Sequence, residues 1–151
     1  MPNTRTDLSP ELRYPVTTDE RTARDLADKV ITFLETGTVP DGLFAPDVFL
    51  DFTMPLWRVQ AQGIEDAVAV RKAGHPSPGL VPRARFDSTP TGFVIEVEES
   101  WDQDGESWYC RELIRADIAR GSISELSVYC TGDWDSARVA RHAGEVALIR
   151  R

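Results

Sequence analysis

The chain has 151 residues, 41% of them apolar, and its 25 acidic and 17 basic side chains leave a formal charge of −8. This length fits one domain, and a pI near 4.7 lacks the basic footprint that nucleic acid or an anionic membrane surface requires. Two cysteines and two histidines are too few for a disulfide framework or a recognisable zinc spacing. No apolar run approaches the ~20 residues of a membrane span, and the first residues lack the apolar stretch of a signal peptide. The expectation is a cytoplasmic protein with no metal, no cofactor, no nucleic-acid partner and no membrane association.

Residues 1–16 hold Pro2, Pro10 and Pro15 among polar residues and are expected to form a flexible arm ahead of a single domain over 17–151. Thr17-Thr18-Asp19-Glu20 reads as a capping box, and Ala23, Leu26, Ala27, Val30, Phe33 and Leu34 follow at helical spacing up to Gly37. Leu43-Phe44-Ala45-Pro46 is expected as one helical turn before a strand, Val48 to Thr53. Arg58 to Gln62 alternates and can pair with that strand. Ile64, Ala67, Val68 and Arg71 mark one face of a second helix that ends before Gly74, and the three prolines between His75 and Pro82 mark a loop. From Val81 the period becomes two, and the turn signals Pro90-Thr91-Gly92, Asp104-Gly105 and Arg120-Gly121 divide the segment into strands near 81–89, 93–102, 107–119 and 122–131. Asp135 or Ser136 can cap a short last helix through Val139, Ala140 and Ala143. Helices followed by a long antiparallel meander indicate an α+β fold.

Three segments in this order carry a resemblance. Leu43-Phe44-Ala45-Pro46-Asp47-Val48 before an apolar strand, Gly63-Ile64-Glu65-Asp66-Ala67-Val68, and Gly121-Ser122-Ile123 leading to Tyr129 together resemble the nuclear transport factor 2-like superfamily and its SnoaL-like branch, over about residues 19–134. The resemblance implies a cone in which a strongly curved antiparallel sheet wraps around N-terminal helices and encloses an apolar pocket. Its members include ketosteroid isomerase, limonene epoxide hydrolase, polyketide cyclases and many non-catalytic proteins. In the isomerase branch the general base is an aspartate on the first strand. That position falls on Phe52 here, with Asp51 one residue earlier, and an acid contributed by a later strand falls on Ile114.

Strand parity identifies the pocket face. A two-residue turn at Asp104-Gly105 pairs Trp101 with Trp108, Glu99 with Cys110 and Val97 with Glu112, and alternation adds Phe93, Ile95, Ile114 and Ala116 to the same face. Glu99 and Glu112 are the polar exceptions on it, and two carboxyl groups in a partly desolvated site raise each other's pKa toward neutrality. The last strand has two registers. A strict Arg120-Gly121 turn puts Ile123, Glu125, Ser127 and Tyr129 inside, whereas one extra loop residue puts the uniformly apolar Leu126, Val128 and Cys130 inside; the second is favoured and sends Tyr129 outward.

The candidate proton-transfer residues are Glu112, Glu99, His75 and Asp51. The candidate binding wall is Phe52, Trp57, Trp101, Trp108 and Ile114, with Arg58 available to an anionic group. Two functions fit. One is a cofactor-independent isomerase, cyclase, hydratase or lyase that handles a small hydrophobic or polyketide-like molecule by carboxylate acid–base chemistry. The other is a non-catalytic ligand-binding or dimerisation module. The family and the apolar Val94 and Tyr129 on the outer face also imply a homodimer.

Overall fold

The structure is a computed structural model that describes residues 18–150. The expected arm over 1–16 lies outside the described residues. Helix α1 (Glu20–Thr36) starts where the Asp19 side chain accepts the Thr22 N–H at 3.0 Å. It stops at Gly37, whose φ of 72° lets its N–H close on the Phe33 carbonyl. Its apolar stripe, Ala23 to Leu34, is buried as the periodicity requires.

Strand β1 (Phe44–Met54) begins earlier than expected. Leu43-Phe44-Ala45-Pro46 is extended rather than helical, because Leu43 and Phe44 are buried and the Leu43 carbonyl accepts the Ile123 N–H at 2.8 Å. That start is separated from the rest of the strand by a register shift before Phe49. A turn at Pro55-Leu56 leads to β2 (Trp57–Gln62), then α2 (Ile64–Gly74), β3 (Gly79–Thr89), β4 (Gly92–Gln103), β5 (Glu106–Ala119), β6 (Ser122–Cys130), the short β7 (Trp134–Asp135) and α3 (Ser136–Glu145), capped by Asp135. The order β2-β1-β6-β5-β4-β3, with β7 beside β5, makes one curved, unclosed sheet whose neighbours are antiparallel except β1 and β6.

The β4–β5 register is the one the turn dictates. Asp104 and Gly105 both have positive φ, and Trp101 faces Trp108, Glu99 faces Cys110, and Val97 faces Glu112. Phe93, Ile95, Val97, Ile114 and Ala116 are all buried on the concave face against α1 and α2. A fully buried side chain of this kind contributes ~1.5–3 kcal/mol, so this face dominates the core.

The β5–β6 connection contains both expected registers. Arg120 and Gly121 form a strict two-residue turn, which buries Ile123; the register then shifts so that Ile118 faces Ile123 but Asp117 faces Glu125. The extra residue is Ser124, in the strand rather than the loop, and its hydroxyl donates to the Asp117 carbonyl at 3.2 Å. The bulge resets parity, so Leu126 and Val128 are buried and Tyr129 points outward, 57% exposed. Among the described residues, no helix is long and apolar enough to cross a membrane.

Candidate active site

The concave face and the two helices enclose a cavity of about 430 Å³. Phe33, Phe44, Phe52, Ile114 and Val128 form its walls, and Trp57, 68% exposed, stands where β2 begins. Polar side chains gather at one end: Arg71, His75, Glu112, Cys130 and Asp133.

The last turn of α2 builds much of that end. Arg71 falls on the same helix face as Ile64, Ala67 and Val68, so burying that face carries a guanidinium into the protein. There it holds Glu99 through two bonds, Nη2 to Oε1 at 2.5 Å and Nη1 to Oε2 at 3.1 Å, and donates to the Leu34 carbonyl at 2.9 Å. His75 follows four residues later, with its N–H on the Arg71 carbonyl. Its ring stacks on Trp101 at 4.1 Å, its Nε2 lies 3.2 Å from Asp133 Oδ1, and its Nδ1 lies 3.7 Å from Glu99 Oε2. Asp133 reaches the site through Gly132, whose φ of 84° turns the chain after β6 alongside Pro55.

Each ionisable group has a distinct balance. Burial alone would push Glu99 upward, but His75 and the two-pronged Arg71 outweigh it and hold the carboxylate at about 2. Burial likewise opposes the charged His75, yet Asp133 and Glu99 leave its pKa raised. For Glu112 the charge of Arg71 acts in the same lowering sense but does not offset burial. Buried to 3% exposure and near the charge of Glu99, it is raised well above the usual carboxyl range, and its Oε1 has no hydrogen-bond partner. Polar atoms of His75, Glu99, Cys110 and Glu112 all lie within 4.8 Å of one another. The site thus holds the Arg71–Glu99 ion pair, the His75–Asp133 contact and a buried carboxyl group, Glu112, shifted toward its protonated form, an arrangement able to give and recover a proton.

Of the residues singled out in the sequence, Glu112, His75, Phe52, Trp57 and Ile114 line the cavity. Glu99 is buried behind them as the partner of Arg71 and His75. Trp101 and Trp108 are not cavity walls: they stack on each other at 6.5 Å across the hairpin, and Trp101 supports the His75 ring. Asp51 and Arg58 are not at the cavity either. One residue out of phase with Phe52, Asp51 faces the other side of the sheet and accepts two bonds from Arg58, at 2.8 and 2.5 Å. Three polar residues at the site, Arg71, Cys130 and Asp133, are absent from the sequence-based candidates. Arg71 had a readable signal, a lone cation on an apolar helix stripe. Asp133 had none, because only the path of the chain after β6 brings it to His75.

No family model matches the sequence, and neither does any curated protein. Solved structures do match. An NTF2-like protein from Anabaena variabilis superposes with a TM-score of 0.63 at 18% identity, covering 75% of this chain and 89% of that one. A protein from Xanthomonas campestris provisionally named as a polyketide cyclase gives 0.59 at 14% identity, covering 74% and 92%. One from Rhodopseudomonas palustris, provisionally named as an isomerase, gives 0.55 at 13% identity, covering 84% and 99%. With its curved, open sheet folded over two helices around an apolar cavity, the chain has the nuclear transport factor 2-like fold.

Proposed function

We propose that the protein is a cofactor-independent enzyme that isomerises, cyclises, hydrates or eliminates a small hydrophobic or polyketide-like molecule by acid–base catalysis. The observation that carries this reading is Glu112, a buried carboxyl group with an unpartnered oxygen, raised well above the usual carboxyl range, at the polar end of an apolar-walled cavity. Glu112 supplies a proton to the bound molecule, and the carboxylate left behind recovers one at the end of the cycle. His75, held by Asp133 and Glu99, is the second proton-carrying group, and Phe52, Trp57 and Ile114 hold the apolar body. The bond pattern keeps Arg71 and Glu99 engaged with each other, which favours a positioning role for both. The structural neighbours provisionally named as a cyclase and an isomerase are consistent with this class of reaction.

The outer face of the sheet is the proposed dimer surface. Leu113 and Tyr129 are paired in register there and exposed, among the ion pairs Arg111–Glu96 and Arg115–Asp117.

Screening small cyclic ketones and polyketide-like aromatics against the wild type and Glu112→Gln tests the catalytic reading. Gln keeps the shape of a neutral acid without its proton, so turnover falls by ~10²–10⁴-fold with ligand affinity retained. Equal turnover, or a Glu112 that titrates as an exposed carboxyl in carbon-detected NMR, leaves the non-catalytic ligand-binding module as the function of the cavity.

A further inference from the structure

The catalytic reading leaves one nucleophile in the cavity unused. Cys130 ends β6 directly opposite Glu112 in the β5–β6 register and lines the polar end of the cavity. The Gly132 N–H donates to its Sγ at 3.4 Å, and Cys110 Sγ lies within 4.8 Å. The two thiols are not equivalent. Cys110 is fully buried, with its Sγ 3.8 Å from Glu99 Oε2, whereas Cys130 is only partly buried and lines the cavity. Beside it stands Glu112, which lines the same cavity and whose Oε1 is buried without a hydrogen-bond partner.

We infer that Cys130 is a nucleophilic thiol that covalently captures small apolar α,β-unsaturated carbonyl compounds in the cavity, with Glu112 as the proton donor. The Cys130 thiolate attacks the β-carbon and an S–C bond forms. The π pair of the C=C bond moves toward the carbonyl as an enolate, and the Glu112 carboxyl proton passes to the α-carbon. Glu112, left as a carboxylate, regains a proton from solvent to balance the one released when the thiol ionised. The sum is addition of S–H across C=C, with no oxidant or reductant.

The surroundings favour the thiolate in the right place. The Cys110 S–H is the largest influence, burial opposes it, and the Gly132 N–H adds to it, bringing Cys130 down to about 7. The charged or titratable groups around it are Cys110 and Glu112 from β5, Glu99 from β4, Arg71 and His75 from the end of α2, and Asp133 from the following loop.

The assigned proton donor rests on the acid–base reading above; the nucleophile itself does not. The test incubates the full chain with 2-cyclohexen-1-one and follows intact mass and peptide mapping. One adduct per chain is expected, on Cys130 and not Cys110, with a rate that saturates in probe concentration and a half-maximal pH near 7. Cys130→Ser, checked for fold by circular dichroism, abolishes it, and Glu112→Gln slows it with the adduct still on Cys130. Labelling of Cys110 alone, labelling only in denaturant, or a rate that never saturates overturns the assignment of Cys130. A Glu112→Gln rate equal to wild type overturns the proton route. A Glu112 that titrates normally while Cys130 still captures the probe removes the acid–base reading and keeps the nucleophile.

Discussion

The buried charges at Arg71, Glu99, His75 and Glu112 contribute to stability in opposite directions. Glu99 and Arg71 form a buried, bidentate pair, so Glu99→Gln strands a guanidinium in the interior. The expected loss is ~3–5 kcal/mol, read as a lower urea midpoint at pH 7. The pH dependence follows from the direction of each shift. Glu99 is depressed to about 2, so its stabilisation is present above the ordinary carboxyl pKa and is lost as pH falls toward 2. Glu112 is raised, so the folded state holds a proton that the unfolded chain releases, and stability declines as pH climbs above the ordinary carboxyl range. His75 is also raised; its contribution is complete below the unfolded histidine pKa and is lost as pH rises through the folded value. Stability is therefore greatest in mildly acidic solution. Glu112→Gln matches wild type near pH 4 and exceeds it at pH 8, as urea titrations at the two pH values should record.

Among the elements, the bulge in β6 has the largest consequence for its size. A single residue, Ser124, separates the parity that buries Ile123 from the parity that buries Leu126 and Val128. Deleting Ser124 forces every later residue of β6 onto the opposite face, exchanging Leu126, Val128 and Cys130 for Glu125, Ser127 and Tyr129. The expected outcome is loss of the cooperative thermal transition by circular dichroism. The alternative in which the deletion is absorbed at the Arg120-Gly121 turn would leave that transition intact. The hairpin β4–β5 is legible from sequence because two positive-φ residues at Asp104-Gly105 fix its register locally. The start of β1 is not legible: Leu43-Phe44-Ala45-Pro46 is locally compatible with a turn, and burial of Leu43 and Phe44 against β6 draws it into the sheet.

For the whole molecule, the proposed assembly is a homodimer through the outer sheet face. Leu113 and Tyr129 are exposed side by side on a surface otherwise carrying ion pairs, the composition of an interface with an apolar centre and a polar rim. A homodimer mass by light scattering at micromolar concentration is expected for the wild type, and Tyr129→Glu should shift it to the monomer while preserving the cavity on the opposite face. A monomeric wild type removes the proposed interface.

The sequence by itself determined the elements whose signals are local. Helical periodicity and the capping signal over residues 17–20 identified α1, the two-residue turn at Asp104-Gly105 gave the β4–β5 register, and alternation placed Glu112 among apolar neighbours on the concave face. It also reached the family resemblance, since the spacing of three loose motifs reflects the chain order of the fold. Only tertiary structure decided which charges meet. That Arg71 neutralises Glu99 rather than Glu112 depends on how α2 docks, and that Asp133 holds His75 depends on the turn at Gly132, 57 residues along the chain from the histidine. Long-range electrostatic partners leave no periodic trace in the sequence. A pKa is set by those partners and by burial, so the chemistry of a site whose residues are mostly identifiable in advance is decided when the chain closes around them.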